Sequence, residues 1–216
     1  MAKSYNGWSA SPTLKTRVIE PVRGVRLRVR DNDNIAFVFT YLVQQYHARV
    51  DDVTGPHKAD DWGFAYRKNR NAGNLSTHAS ATAVDLDAVE HPNGVPTLKT
   101  FTQAQVREIN AILRELEGVI AWGGNFRITP DAMHFEIAVR PGTGKIYRVA
   151  KKLRKKLAME AKVKAKVSTP TKKSIDTVAK EVIQGKWGTG LVRKTRLKKA
   201  GYDYAKVQSA VKKMLK

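Results

Sequence analysis

Cysteine is missing from all 216 residues of the chain. That excludes disulfides and thiolate metal sites, so any metal bound here must be held by His, Asp and Glu. Long apolar runs are missing too. None approaches the roughly 20 residues that cross a bilayer, and the first 30 residues carry several charges and no hydrophobic stretch of signal-peptide length. The expectation is a protein made in a cytoplasm, without an export signal and without membrane insertion. Acidic residues are scarce in one region only. Residues 1–150 hold 19 Lys and Arg against 15 Asp and Glu, whereas residues 151–216 hold 21 against 4. The formal charge of +21 therefore belongs mainly to the tail. Such a tail seeks a polyanion, and nucleic acid, anionic lipid and the phosphate-rich polymers of Gram-positive walls all qualify.

What is present is a chain with 42% hydrophobic residues, enough for a buried core. Val25 to Arg30 alternates apolar and basic residues as a half-buried strand does, and Asp31 to Asn34 offers caps for a helix over Ile35 to Val50. Ala81 to Leu86 reads as a short strand. Thr102 and Gln105 form a capping-box signature before Val106, Ile109, Ile112, Leu113 and Leu116, which recur at helical spacing. Val119 to Trp122 and Met133 to Val139 read as strands, joined through a Gly123-Gly124 turn. The expected fold class is α+β, with a central antiparallel sheet and flanking helices over residues 1–145. Residues 146–173, rich in Lys and Ala, read as a partly helical linker. Residues 174–216 carry three further helical segments around the turn Gly185 to Gly190, a small three-helix module.

Five histidines are present: His47, His57, His78, His91 and His134. Most histidines are structural or exposed, so only a surrounding pattern makes one a ligand candidate. One pattern is Ser76-Thr-His78-Ala-Ser-Ala81-Thr-Ala83-Val-Asp85-Leu-Asp87, a His before a short strand with an acid on that strand. The other is Asp131-Ala-Met-His134-Phe-Glu136, in which His134 and Glu136 share one strand face. Together they supply two imidazoles and a carboxylate, a set that leaves a fourth tetrahedral position open for a catalytic water. Asp131, three residues before His134, is placed to accept that water's proton. Asp87 reads either as a partner to this set, on the same strand face as Asp85, or as a surface carboxylate. His47, His57 and His91 are not assigned to a metal.

These patterns resemble the D-alanyl-D-alanine carboxypeptidase and L-alanyl-D-glutamate endopeptidase family of zinc peptidases, in particular its phage endolysin members. The family pattern S-x-H-x-x-G-x-A-x-D is matched at Ser76, His78, Ala83 and Asp85, with Ala81 in place of the glycine. That exchange is expected to be tolerated if the Ala81 φ angle is negative. The pattern W-G-G followed by D-x-M-H-F-E is matched at Trp122-Gly-Gly124 and Asp131 to Glu136, and Tyr66-Arg67-Lys-Asn-Arg70 resembles the family's Y-R segment. By position, the resemblance implies zinc held by His78, Asp85 and His134, with Asp131 as general base and later proton donor to the leaving amine. Arg67, or alternatively Arg70, would bind a substrate carboxylate or the developing oxyanion. Glu136 and Ser76 would support the ligands from behind. The reaction implied is hydrolysis of a peptide bond in peptidoglycan, with L-alanyl-D-glutamate or a related D-Ala bond as target. A phage lysin of this kind would wait as a monomer in the host cytoplasm until another protein opens the membrane, and would then lyse the host.

The tail segment from Asp176 through Gly190 to Gln208 resembles a short cell-wall-binding repeat found behind the catalytic domains of wall hydrolases. Its Glu-Val-Ile-x-Gly-x-Trp-Gly and Ala-Gly-Tyr-Asp-Tyr portions carry the likeness. The resemblance implies binding of the peptidoglycan muropeptide, with Asp176, Trp187 and Arg193 as contact residues and teichoic acids as a further anionic partner. Trp187 reads equally well as the filler of a small core. Two other functions stay open on sequence grounds: a non-lytic D-Ala-D-Ala carboxypeptidase, and a basic nucleic-acid-binding protein. The tail lacks a nucleic-acid reader motif, so no nucleic-acid partner is expected.

Overall fold

The computed structural model describes residues 2–55, 57, 60–69, 73–168 and 173–215 and forms two compact units, Met1–Ala158 and Met159–Lys216. Among the described residues it is α+β, with two small antiparallel sheets and seven α-helices. Among the described residues no helix is long and apolar enough to cross a membrane.

The first unit opens with β1 (Thr16–Ile19) paired antiparallel to β2 (Leu27–Arg30). In β2 the expected alternation is realised: Leu27 and Val29 are fully buried while Arg28 points outward. Asn32 then caps α1 (Asp33–Arg49), its side chain accepting from the Asn34 and Ile35 amides. The buried stripe Ile35, Val38, Phe39, Leu42, Val43 and Tyr46 drives this helix into the core. After a polar stretch come β3 (Ala83–Asp85), α2 (Thr97–Thr100), α3 (Gln103–Glu115), β4 (Ile120–Trp122) and β5 (His134–Ile137). The Thr102–Gln105 capping box is formed at the start of α3. Arg49 of α1 ties this helix down, reaching Glu108 at 3.0 Å and Glu115 at 2.7 Å.

The second sheet has the order β3-β5-β4, with β5 central. Its register pairs Asp85 with His134, Val84 with Phe135 and Ala83 with Glu136 on one side, and Trp122 with Phe135 on the other. Strand period puts Val84, Phe135 and Trp122 on the core face, where the Phe135 and Trp122 rings stack at 6.2 Å and Tyr46 meets Phe135 edge-on at 5.9 Å. The opposite face carries Asp85, His134 and Glu136.

The chain does not become a linker at residue 146. Helix α4 (Lys145–Ser168) begins there, and Ile146, Val149, Ala150 and Leu153 are buried in the first unit's core. Spacings of three and four hide this stripe among lysines, which is why composition reads as a solvated tether. Of the expected break Ser168 to Thr171, residues 169–171 lie outside the described residues.

In the second unit Ser174 caps α5 (Ile175–Ile183), followed by α6 (Gly190–Lys199) and α7 (Tyr204–Met214), itself capped by Asp203. Val178, Ala179, Val182, Leu197, Val207 and Val211 form a small core, flanked by Trp187, Tyr202 and Tyr204.

Candidate metal centre and its cleft

Three donors converge on the polar face of the second sheet. Asp85 and His134 are directly opposed across the β3–β5 pair, which sets their side chains side by side. His78 arrives from a 3-10 turn, Thr77–Ser80, in which the Ser76 hydroxyl accepts from the His78 amide. His78 Nε2 lies 3.1 Å from Asp85 Oδ1 and 3.2 Å from His134 Nδ1, and His134 Nδ1 lies 2.8 Å from the same Asp85 oxygen. All three residues are buried.

The outer nitrogens of both imidazoles are held. His78 Nδ1 donates to the Gly63 carbonyl at 2.6 Å, and His134 Nε2 faces Glu136 Oε2 at 3.1 Å. Glu136 also accepts from Thr77 Oγ1 at 3.0 Å and from the Tyr5 hydroxyl. Its neighbours across both strand pairings are alanines, Ala83 and Ala121, which leaves room for these contacts. Fixing the outer nitrogen fixes which nitrogen each ring turns inward.

Burial opposes charge at Asp85, but His78 and His134 outweigh it and hold the carboxylate far below its ordinary range. At His134 burial likewise opposes the charged form, yet the hydrogen bonds to Asp85 and Glu136 raise the imidazole to about 10. The same negative groups that draw a proton draw a metal ion. Two imidazole nitrogens and a carboxylate oxygen facing one another at about 3 Å can share a proton or hold a metal ion, and the donor set fits one such as zinc.

The donors sit at the base of a cleft of about 560 Å³, lined also by Tyr5, Arg67, Asn93, Phe126, Ile128 and Asp131. Asp131 is half-buried and its Oδ1 has no hydrogen-bond partner. Burial and the nearby Asp85 raise its pKa, against the opposing pull of His134. Glycines place it: the Asp131 amide donates to the Gly123 carbonyl at 3.0 Å, and a Cβ on Gly123 would lie 2.2 Å from the Asp131 carbonyl. The Trp122 indole N–H donates to the Ala132 carbonyl at 2.7 Å. The W-G-G sequence is thus the mould against which the segment carrying Asp131 and His134 is pressed.

Of the other expected residues, Arg67 is exposed on the cleft wall, Ser76 lines the cleft as well as capping the His78 turn, and Arg70 lies outside the described residues. Asp87 does not join the metal donors. Strand β3 ends at Asp85, and Asp87 takes a φ of +48°, turning its carboxyl toward Asp60 and Asp61 instead. Ala81 has φ +56°, not the negative angle expected, so the methyl is carried in the left-handed region that glycine favours. Sequence reading missed Gly63, Thr77 and Tyr5. Thr77 lay inside a recognised pattern, but Tyr5 stands 131 positions from Glu136 and nothing local announces it.

In the tail, Asp176 is exposed in the first turn of α5. Trp187 is half-buried, donating to Glu181 at 3.0 Å and meeting Tyr202 edge-on at 5.9 Å. Arg193 Nε donates to the Gly188 carbonyl at 2.9 Å. Trp187 and Arg193 thus both brace the turn before α6.

No curated protein and no solved structure matches the chain. Two family models do: that of D-alanyl-D-alanine carboxypeptidase over residues 70–137, which takes in His78, Asp85, Asp131, His134 and Glu136, and that of the CW_7 repeat over residues 176–215. The two matched segments, similar to D-alanyl-D-alanine carboxypeptidase and to the CW_7 repeat, together support a cell-wall hydrolase.

Proposed function

We propose that the protein is a zinc-dependent peptidase of peptidoglycan stem peptides, acting as a phage endolysin. The observation that carries this reading is one cleft holding a buried His78–Asp85–His134 donor set beside the unpartnered Asp131 oxygen. A zinc ion held by the three ligands supplies Lewis-acid polarisation of the scissile carbonyl and a water acidic enough to act at neutral pH. Asp131 takes the proton of the attacking water and returns it to the leaving amine, a task for which its place on the cleft beside His134 suits it. Glu136, Thr77 and Tyr5 keep His134 turned toward the ligand set. Arg67, on the cleft wall, binds a stem-peptide carboxylate.

The test is mass analysis of fragments released from purified cell walls by the zinc-loaded protein. Cleavage between L-Ala and D-Glu is expected. Release of terminal D-Ala alone would instead favour the non-lytic carboxypeptidase, the reading to which the first family description points.

The tail's excess of positive charge assists wall binding by attracting wall polyanions such as teichoic acids. Retention of the full chain on walls is expected to fall as salt is raised from 0.15 to 1 M, where the screening length shrinks from about 8 to 3 Å. It is also expected to fall on walls stripped of teichoic acid. Retention unchanged by both treatments contradicts the charge argument.

A further inference from the structure

The first unit contains a second cluster of potential ligands, on the chain that leaves β3. The carboxylates of Asp60, Asp61 and Asp87 each place an oxygen within 4.8 Å of the others. Asp60 and Asp87 are 5% and 6% exposed, and in each Oδ2 is buried without a hydrogen-bond partner. Beside them the Tyr46 hydroxyl is directed at Asp87, and the His91 ring is buried with neither nitrogen hydrogen-bonded, stacked on Phe101 with Nε2 4.0 Å from Asp51 Oδ2. Among the described residues no lysine or arginine pairs with any of the three carboxylates. Buried like charges without a counter-ion are costly, a cost that a proton or a bound cation relieves.

We propose that Asp60, Asp61 and Asp87 form a binding site for a hard divalent cation, calcium or magnesium, distinct from the His78–Asp85–His134 centre. The donors are all oxygens and no imidazole nitrogen is among the three, the ligand chemistry of these ions and not of zinc. A cation there clamps the segment at Asp60–Trp62 to the end of β3. That segment already exchanges backbone hydrogen bonds with it: the Trp62 amide to the Asp85 carbonyl at 2.9 Å, and the Asp85 amide to the Trp62 carbonyl at 2.8 Å. The Asp87 amide also donates to Asp61 Oδ1 at 3.1 Å. Asp85 is a donor of the first centre, and Gly63, next in the clamped segment, holds His78. The second cation is therefore a positioning device for two of the three donors.

The experiment titrates the zinc-loaded full chain with calcium chloride and, separately, magnesium chloride, reading bound ions by equilibrium dialysis and the thermal midpoint by calorimetry. One calcium or magnesium per chain is expected, with a midpoint rise of roughly 5 °C or more at an ion concentration a hundredfold above its dissociation constant. Asp87→Asn is expected to abolish both signals while keeping zinc. If that variant does not fold, Asp61→Asn at the half-buried position serves. His134→Ala, which removes a donor of the other centre, is expected to keep the calcium or magnesium response, so this site stands or falls apart from the proposed peptidase. Absence of extra ion and of any midpoint rise with both salts overturns the proposal, as does an undiminished response in Asp87→Asn.

Discussion

Asp131 and His134 are three residues apart and both line the cleft, yet mutation is expected to separate their tasks. Asp131 Oδ1 has no partner within the protein and the carboxylate's hydrogen-bond neighbour is Asn93, so Asp131→Asn removes a proton acceptor while keeping the side chain's size and shape. That variant is expected to bind zinc as the parent does while wall hydrolysis falls by about 10²–10⁴-fold, the usual worth of a general base. Zinc binding lost together with activity would show that Asp131 is a ligand. The three candidate donors and Asp131 were legible in sequence because His78, Asp85, Asp131 and His134 sit in two short patterns. What supports them was not: Tyr5 comes from the far end of the chain, and Gly63 acts through its carbonyl, which any residue possesses. Its glycine identity answers a different demand, since a Cβ there would lie 2.3 Å from the Arg28 carbonyl. Asp87 misled because strand parity was carried two residues past the point where β3 stops.

At the scale of elements, the helices and strands of the first unit follow from periodicity and caps, whereas pairing does not. The Asp85–His134 register, on which the centre depends, spans 49 residues and is set by which apolar faces meet, a property no local window contains. Helix α4 is the clearest case of a burial that composition hides. Leu153 is 3% exposed and lies among lysines and arginines. Leu153→Ala is expected to destabilise the first unit by about 2–5 kcal/mol, the range for a buried leucine cavity, as read by denaturant unfolding. A change below about 0.5 kcal/mol, typical of exposed positions, would return this stretch to the status of a tether.

Over the whole molecule, charge and chemistry are divided between two units. Residues 1–150 are nearly balanced and carry the donor set; residues 151–216 carry most of the positive charge and the repeat that matches a cell-wall-binding family. This division was visible in the sequence as a composition shift. The boundary between compact units was not, because it falls within α4 at residue 158. The account turns on His134, which joins Asp85 to Glu136 and faces His78. The most direct test measures zinc content and wall lysis side by side for the parent and His134→Ala. One zinc per chain with lysis in the parent, and loss of both in the variant, is the expected result. A His134→Ala protein that still lyses walls at the parent rate would contradict the metal centre altogether.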